Sequence, residues 1–407
     1  MRQFLPLFSL LLTVSLFACT GKSDPVPVQN QTGQVAGSFD SPLRWNEFDS
    51  DFPMPDKRSW LDSDSADTAS YYPHHQGKDL FLKVGENASV EGRFHYGDLR
   101  LDLGGEEVGL WYREVGDAVW TYWMDGVTDN DGNVSFPLPA EVTGTSGRWF
   151  IKMVVYGDLT TSDSFVRVVD GTVPAAVFDI DGTLTVSNDE MIEEILSDLL
   201  DIHYVPRMYE DANKFAVQLA KEGVEIFYIT ARPYWLKRAS RRWLELKGFP
   251  VGQVYTYSGA FPATDTTAVD YKSGVLSSAI ERGADFVHAF GNADTDIAAY
   301  AEVGIPVSDT YVIGEFAGLG GTVALSQYSD LYGSLVPAPP STPLVVLMIV
   351  DGLRPDVFRY YIDEIAGPDS AFRSIFEKKV DVSNSSTCFP SMTFPGHAMI
   401  ATGVSSG

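Results

Sequence analysis

The chain has 407 residues, enough for two or three domains of ordinary size. Its 44% hydrophobic and 13% aromatic content excludes a disordered polymer, because packed cores can form. With 29 Lys+Arg against 55 Asp+Glu the formal charge is −26, the wrong sign for tracking a phosphate backbone, so nucleic acid is excluded as a partner.

In chain order, Arg2 opens an apolar run from Phe4 through Ala18 that ends at Leu16-Phe17-Ala18-Cys19. At about 15 residues the run is shorter than the roughly 20 needed to span a bilayer and fits the h-region of a signal peptide. It resembles a bacterial lipoprotein signal, which implies removal of residues 1–18 and lipidation of Cys19. Thr20 stands where an inner-membrane protein would carry Asp, so the resemblance implies an outer-membrane lipoprotein of the cell envelope, facing periplasm or exterior. An uncleaved anchor or an ordinary signal peptide is the plainer alternative. The second cysteine, Cys388, is far away in sequence, so a disulfide scaffold is excluded. Residues 19–76 are acidic, rich in Pro and Ser and without a sustained period, and read as a solvated tether.

Residues 77–170 contain short runs with strand character: Phe81 to Val84, Ser89 to His95, Val108 to Tyr112, Trp120 to Trp123, Trp149 to Tyr156 and Phe165 to Val169. So many short strands between Gly, Asn and Asp clusters predict a β-sandwich, an immunoglobulin-like accessory domain by fold-level resemblance. Asp129-Asn130-Asp131-Gly132-Asn133 lacks the flanking acids of a calcium loop and reads as a hairpin turn.

Residues 171–330 carry the chemistry. Ala175-Ala176-Val177-Phe178 is a continuous apolar run ending in Asp179-Ile180-Asp181-Gly182-Thr183, which predicts a buried parallel strand with carboxylates at its carboxyl end. Spacing two puts Asp179 and Asp181 on one side of an extended chain, where a divalent cation would relieve their repulsion. Glu225 to Thr230 predicts a second strand, Pro233 to Lys247 a helix closed by Gly248, Lys272 to Leu276 the start of a helix, and Phe286 to Gly291 a third strand followed by Asn292 and Asp296.

These motifs, in this order, resemble the haloacid dehalogenase-like phosphohydrolases, which implies an α/β Rossmann-like domain. Tyr228-Ile229-Thr230-Ala231-Arg232-Pro233 and Gly291-Asn292 with Thr295-Asp296 and Tyr300 are similar to the lipin/LNS2 branch, whose members include magnesium-dependent phosphatidate phosphatases. The resemblance implies that Asp179 is the nucleophile, forming an aspartyl phosphate, and that Asp181 is the general acid and base. It further implies that Thr183, Thr230, Ala231 and Lys272 hold the phosphoryl group, and that Asp179, Asp181 through its main-chain carbonyl, Asn292 and Asp296 bind Mg²⁺. For Lys272 a solvated helix-surface lysine is the plainer alternative. The short interval from Asp179 to Thr230 leaves no space for a large cap, so the mouth is expected to be open to a bulky phosphomonoester.

A proline-rich linker, residues 331–342, separates a last segment, 343–407. There Leu344 to Val350 ends in Asp351, and Cys388-Phe389-Pro390-Ser391-Met392-Thr393 follows, a pattern that resembles the beginning of a type I phosphodiesterase/nucleotide pyrophosphatase, an α/β domain of the alkaline-phosphatase superfamily. The resemblance makes Asp351 a Zn²⁺ ligand and Thr393 a metal-activated nucleophile, and the remaining ligands of that family have no counterpart before Gly407. The segment therefore reads as a truncated domain or a remnant.

Three functions remain open to the sequence: a phosphatidate-type phosphatase lipoprotein, a phosphodiesterase acting through a completed terminal domain, and a non-catalytic phosphatidate-binding lipoprotein.

Overall fold

A computed structural model of the protein describes residues 43–331, apart from 50, 98 and 187–204. The expectations for Cys19, the linker beyond Leu331, Asp351, Cys388 and Thr393 fall outside the described residues.

The first half is a two-sheet sandwich. Its strands are β1 (Gln76–Gly77), β2 (Leu80–Lys83), β3 (Ser89–Arg93), β4 (His95–Tyr96), β5 (Leu101–Asp102), β6 (Glu107–Glu114), β7 (Thr121–Val127), β8 (Asn133–Pro137), β9 (Gly147–Val155) and β10 (Thr161–Val169). One sheet has the order β1-β3-β8 and the other β2-β10-β9-β6-β7, with β4 and β5 forming a small ribbon. Alternation sets the inner faces: Val90 on β3 and Val134 and Phe136 on β8 meet Ile151, Met153, Val166 and Val168 of the larger sheet. The Asp129 segment does turn, its carboxylate accepting the N–H groups of Asp131 (3.0 Å) and Asn133 (2.8 Å). It is not a hairpin, however, because β7 and β8 belong to different sheets.

The second half is one six-stranded parallel sheet: β11 (Val173–Asp179), β12 (Glu225–Pro233), β13 (Gln253–Tyr257), β14 (Ala284–Gly291), β15 (Thr310–Ile313) and β16 (Val323–Leu325). The order β13-β12-β11-β14-β15-β16 reverses direction between β11 and β14, and open parallel sheets place their sites outside the strand carboxyl ends at such a reversal. The helices named below are α1 (Ala212–Lys221), α2 (Lys237–Leu246), α3 (Asp265–Glu281) and α4 (Asp294–Glu302). Gly248, at φ +75°, follows α2 in the left-handed conformation that ends a helix, as its sequence position predicts. Lys272 is in the middle of α3, which begins two turns earlier than expected.

The expected tether is also corrected, since its second part, from Leu43, packs onto the domains. Trp45 and Phe48 are buried; the indole N–H of Trp45 donates to Phe249 O (3.0 Å), and Phe48 lies 4.2 Å from Phe150, ring centre to ring centre. Aromatic residues without a period still bury about 150–250 Å² each, enough to pin an irregular chain.

These contacts explain why β9 and β10 lack the alternation of a one-sided sheet: their second face is covered by the other domain. At that seam Asp79 is fully enclosed. Its carboxylate accepts the backbone N–H of Phe165 (2.8 Å) on β10 and of Val254 (2.7 Å) on β13, and it pairs with Lys237 (3.0 Å) and Arg241 on α2. Burial alone would raise the Asp79 pKa, but the two cations and the N–H groups outweigh it and hold the carboxyl below its usual range. Nearby, Arg148 (2.6 Å) and Arg167 (2.7 Å) of the sandwich both grip Glu225 at the start of β12.

Asp79→Asn, which leaves two buried cations without their carboxylate, should cost about 3–5 kcal/mol in urea unfolding. Lys78→Ala, which removes only an exposed partner of Glu91, should cost less than about 1 kcal/mol. Equal effects of the two variants would show that the seam does not depend on Asp79.

Candidate active site

The chain turns sharply where β11 ends. Gly182 takes φ +74°, and the Thr185 hydroxyl accepts its N–H at 2.9 Å, so the strand stops at Asp179 and residues 181–184 fold back over the sheet edge. Asp179 and Asp181 therefore part company, against the expectation that both face one way. Asp179 points to α3, where Lys272 Nζ donates to it at 2.7 Å and to Asp296 at 2.5 Å. Asp181 points to β12, where the Thr230 hydroxyl (2.9 Å) and a fork of Arg232 nitrogens (2.8 to 3.0 Å) donate to its carboxylate.

Close packing sets the other side of the site. A Cβ on Gly291 would sit 2.5 Å from the Cβ of Asp296, so glycine at the end of β14 is what lets α4 bring that carboxylate in. The second oxygen of Asp296 accepts the N–H groups of Asn292 (3.0 Å) and Ala293 (3.1 Å), which fixes its direction. Tyr328 donates to Thr183 O at 3.0 Å and Tyr300 to Phe290 O at 2.8 Å, locking the backbone on either side.

Burial and neighbouring charge decide the electrostatics. Desolvation pushes the Asp179 carboxyl up to about 7, with Lys272 pulling it down and Asp296 and Asp181 pushing it further up. For Lys272 burial works against the ammonium, but the two carboxylates win and hold its pKa above the usual range.

Among the described residues no group of three or more His, Cys, Asp or Glu side chains is arranged to hold a metal ion. A different set of oxygens does converge. The Thr183 hydroxyl lies 3.1 Å from both Asp179 Oδ2 and Asn292 Oδ1, and its single proton satisfies one of them at a time. Two oxygen donors of this kind suit a small hard cation and not zinc.

The structure thus gathers Asp179, Asp181, Thr183, Thr230, Lys272, Asn292 and Asp296 at one sheet edge. Ala231 is tied to the same edge through its carbonyl, which accepts Ala263 N–H at 3.0 Å. The plainer reading of Lys272 as a solvated lysine fails, since it is buried between two carboxylates. Sequence reasoning gave Arg232 no role, yet it is fully buried on Asp181 and also donates to Ser240 (3.2 Å). The signal was its spacing two from Thr230, which places both on one face of β12.

If the charges act as described, Lys272→Met should move the Asp179 titration midpoint above about 7 and Asp296→Asn should move it below, read by carboxyl-carbon NMR. Shifts of the opposite sign would refute the assignment.

Three family models match the chain: the PITM 1-3 β-sandwich domain at residues 73–168, the PITM 1-3 LNS2 domain at 176–314, and type I phosphodiesterase/nucleotide pyrophosphatase at 345–407. Protein retinal degeneration B of Drosophila melanogaster is 27% identical over 245 residues, which is 60% of this chain and 18% of that protein. Human membrane-associated phosphatidylinositol transfer protein 1 is 28% identical over 243 residues (59% and 18%), and human protein 2 is 30% identical over 227 (55% and 16%). The chain spans under a fifth of the length of these relatives. Among solved structures, a superoxide reductase (neelaredoxin) from Ignicoccus hospitalis aligns with 24% of this chain and 81% of its own at 12% identity and TM-score 0.18, too slight to support an argument. In order along the chain, then, come a stretch similar to the PITM 1-3 β-sandwich domain, one similar to the PITM 1-3 LNS2 domain and one similar to type I phosphodiesterase/nucleotide pyrophosphatase.

Proposed function

We propose that residues 171–330 are a Mg²⁺-dependent phosphomonoester hydrolase acting on phosphatidate or a similar lipid phosphate. The observation that carries this reading is the buried Asp179 carboxylate held 2.7 Å from Lys272 at the reversal of the sheet. Asp179 attacks phosphorus, the bond from phosphorus to the lipid oxygen breaks, and an aspartyl phosphate forms. Asp181 gives its proton to the leaving alcohol, then takes one from the water that hydrolyses the intermediate. Lys272 and Thr230 neutralise and hold the phosphoryl oxygens. Asp179, Asn292, Asp296 and the main-chain carbonyl of Asp181 would hold Mg²⁺, which would supply the charge that screens the carboxylate from the phosphate it attacks. The similarity to membrane-associated phosphatidylinositol transfer proteins supports a lipid as substrate class.

Arg232 favours a second reading. A guanidinium has donors only, so in this arrangement Asp181 accepts from both Arg232 and Thr230 and is not free to donate. If that fork does not open, the pocket binds a phosphomonoester without cleaving it. Phosphate release from phosphatidate with and without Mg²⁺ separates the two. Under the hydrolase reading Asp179→Asn loses at least about a thousandfold of turnover while keeping the fold. Wild-type binding of phosphatidate with no phosphate release would establish the receptor reading instead.

The place of action is part of the proposal: a lipoprotein anchored through Cys19 at the cell envelope, in the outer membrane, with the folded domains projecting from it. Cys19→Ala should move the chain from the membrane fraction to the soluble one, and a mutant that stays with the membrane would refute the anchor. A phosphodiesterase activity, with Asp351 on Zn²⁺ and Thr393 as nucleophile, belongs to the terminal segment and needs ligands beyond these residues.

A further inference from the structure

The edge of the sheet that carries the phosphoryl site also carries an apolar surface. Trp235 follows the carboxyl end of β12 and Phe261 that of β13, the same ends from which Thr230 and the loop to Ala263 reach the site. Phe261 is 82% exposed, and its loop is fastened to Trp235 by the indole N–H, which donates to Ala260 O at 3.0 Å. The sandwich reaches the same ring. Arg100 stacks 3.9 Å over the Trp235 ring; beside it Leu99, at the tip of the β4–β5 ribbon, is 86% exposed. Tyr72, 60% exposed, packs edge-on against His74, which in turn meets Trp235, and exposed Arg238 lies 5.9 Å from the Tyr72 ring.

A free apolar side chain at a loop tip is ordinary, but the segments carrying Leu99, Phe261 and Tyr72, drawn from two domains, are all tied to the one Trp235 ring. They are fringed by Arg100 and Arg238 in a chain of net charge −26. Asp102 on the same ribbon lies 2.8 Å from the His95 ring nitrogen and remains part of the charge balance around that fringe. Protruding aromatics with arginines beside them match the bilayer interface, where rings occupy the headgroup level and guanidinium groups meet anionic lipid phosphates.

The geometry points to this face as a docking surface for an anionic phospholipid bilayer, which holds the phosphoryl pocket against the membrane. The inference rests on the lipid-phosphate reading above and adds where the lipid enters. The face brings Phe261 and Leu99 into the interface while Arg100 and Arg238 contact phosphates, so a headgroup beside Trp235 faces the pocket without leaving the bilayer.

The test uses the full chain with Cys19 and Cys388 changed to Ser and Phe261→Cys carrying an environment-sensitive nitrobenzoxadiazole label. A second sample carries the label at Val119→Cys, in the exposed β6–β7 turn at the other end of β6. Phosphatidylcholine vesicles containing phosphatidate should shift the label at 261 to the blue, vesicles of phosphatidylcholine alone should do so far less, and the label at 119 should stay silent. A silent label at 261, equal responses at both positions, or equal responses to both vesicle types would each overturn the proposal. In the unlabelled chain, Phe261→Ser with Leu99→Ser should weaken binding to phosphatidate vesicles about tenfold while leaving turnover of soluble short-chain phosphatidate unchanged. If wild type releases no phosphate from the short-chain lipid while the label at 261 still responds, the hydrolase reading fails and the docking surface stands.

Discussion

The ammonium of Lys272, placed between the carboxylates of Asp179 and Asp296, is the contact on which the site depends. It joins β11 to α3 and α4, which lie far along the chain from it, at a depth where little solvent shares the charge. Two like charges on one small sheet edge would otherwise force either protonation or separation, and the raised pKa of Asp179 shows that the balance is close. The surroundings serve this cluster: glycine at 291 makes room for Asp296, two backbone amides aim it, and Tyr328 and Tyr300 fix the strand ends.

The same edge shows a division of labour that a shared D-x-D motif hides. Asp179 faces an ammonium, whose three donors can be shared among several oxygens. Asp181 faces a planar fork that grips both its oxygens. One carboxylate is therefore held by a cation it shares with Asp296, and the other is clamped to β12. Under the phosphomonoester reading proposed above, whether the pocket turns over or only binds depends on how readily that fork opens.

The sandwich is part of the same body. Asp79 and Glu225, each shared between the two halves, replace what a flexible linker would leave loose. Such buried pairs contribute little to net stability against an apolar seam, but they tolerate only one register, so they specify how the sheets meet. That fixed relation is what lets Arg100 of one domain stack on Trp235 of the other.

Much of this was legible in the residues. The apolar run of β11 ending in acids, the hydroxyl of Thr230, the glycine after α2 and the alternation in β3 each follow from local chemistry, because burial on both faces, strand ends and helix stops leave direct traces in sequence. The fold-back after Asp179 was not legible, since a spacing of two implies one face only while the strand continues. Nor was the packing of Trp45 and Phe48, because an irregular segment held by a few aromatic contacts has no period to detect. The sequence by itself determined which chemical groups are present and in what order the strands present them. Only the tertiary structure decided that Arg232 takes Asp181, that Lys272 takes Asp179 and Asp296, and that Arg100 of one domain stacks on Trp235 of the other, because each of these is a contact between residues whose separation along the chain carries no information about their distance in space.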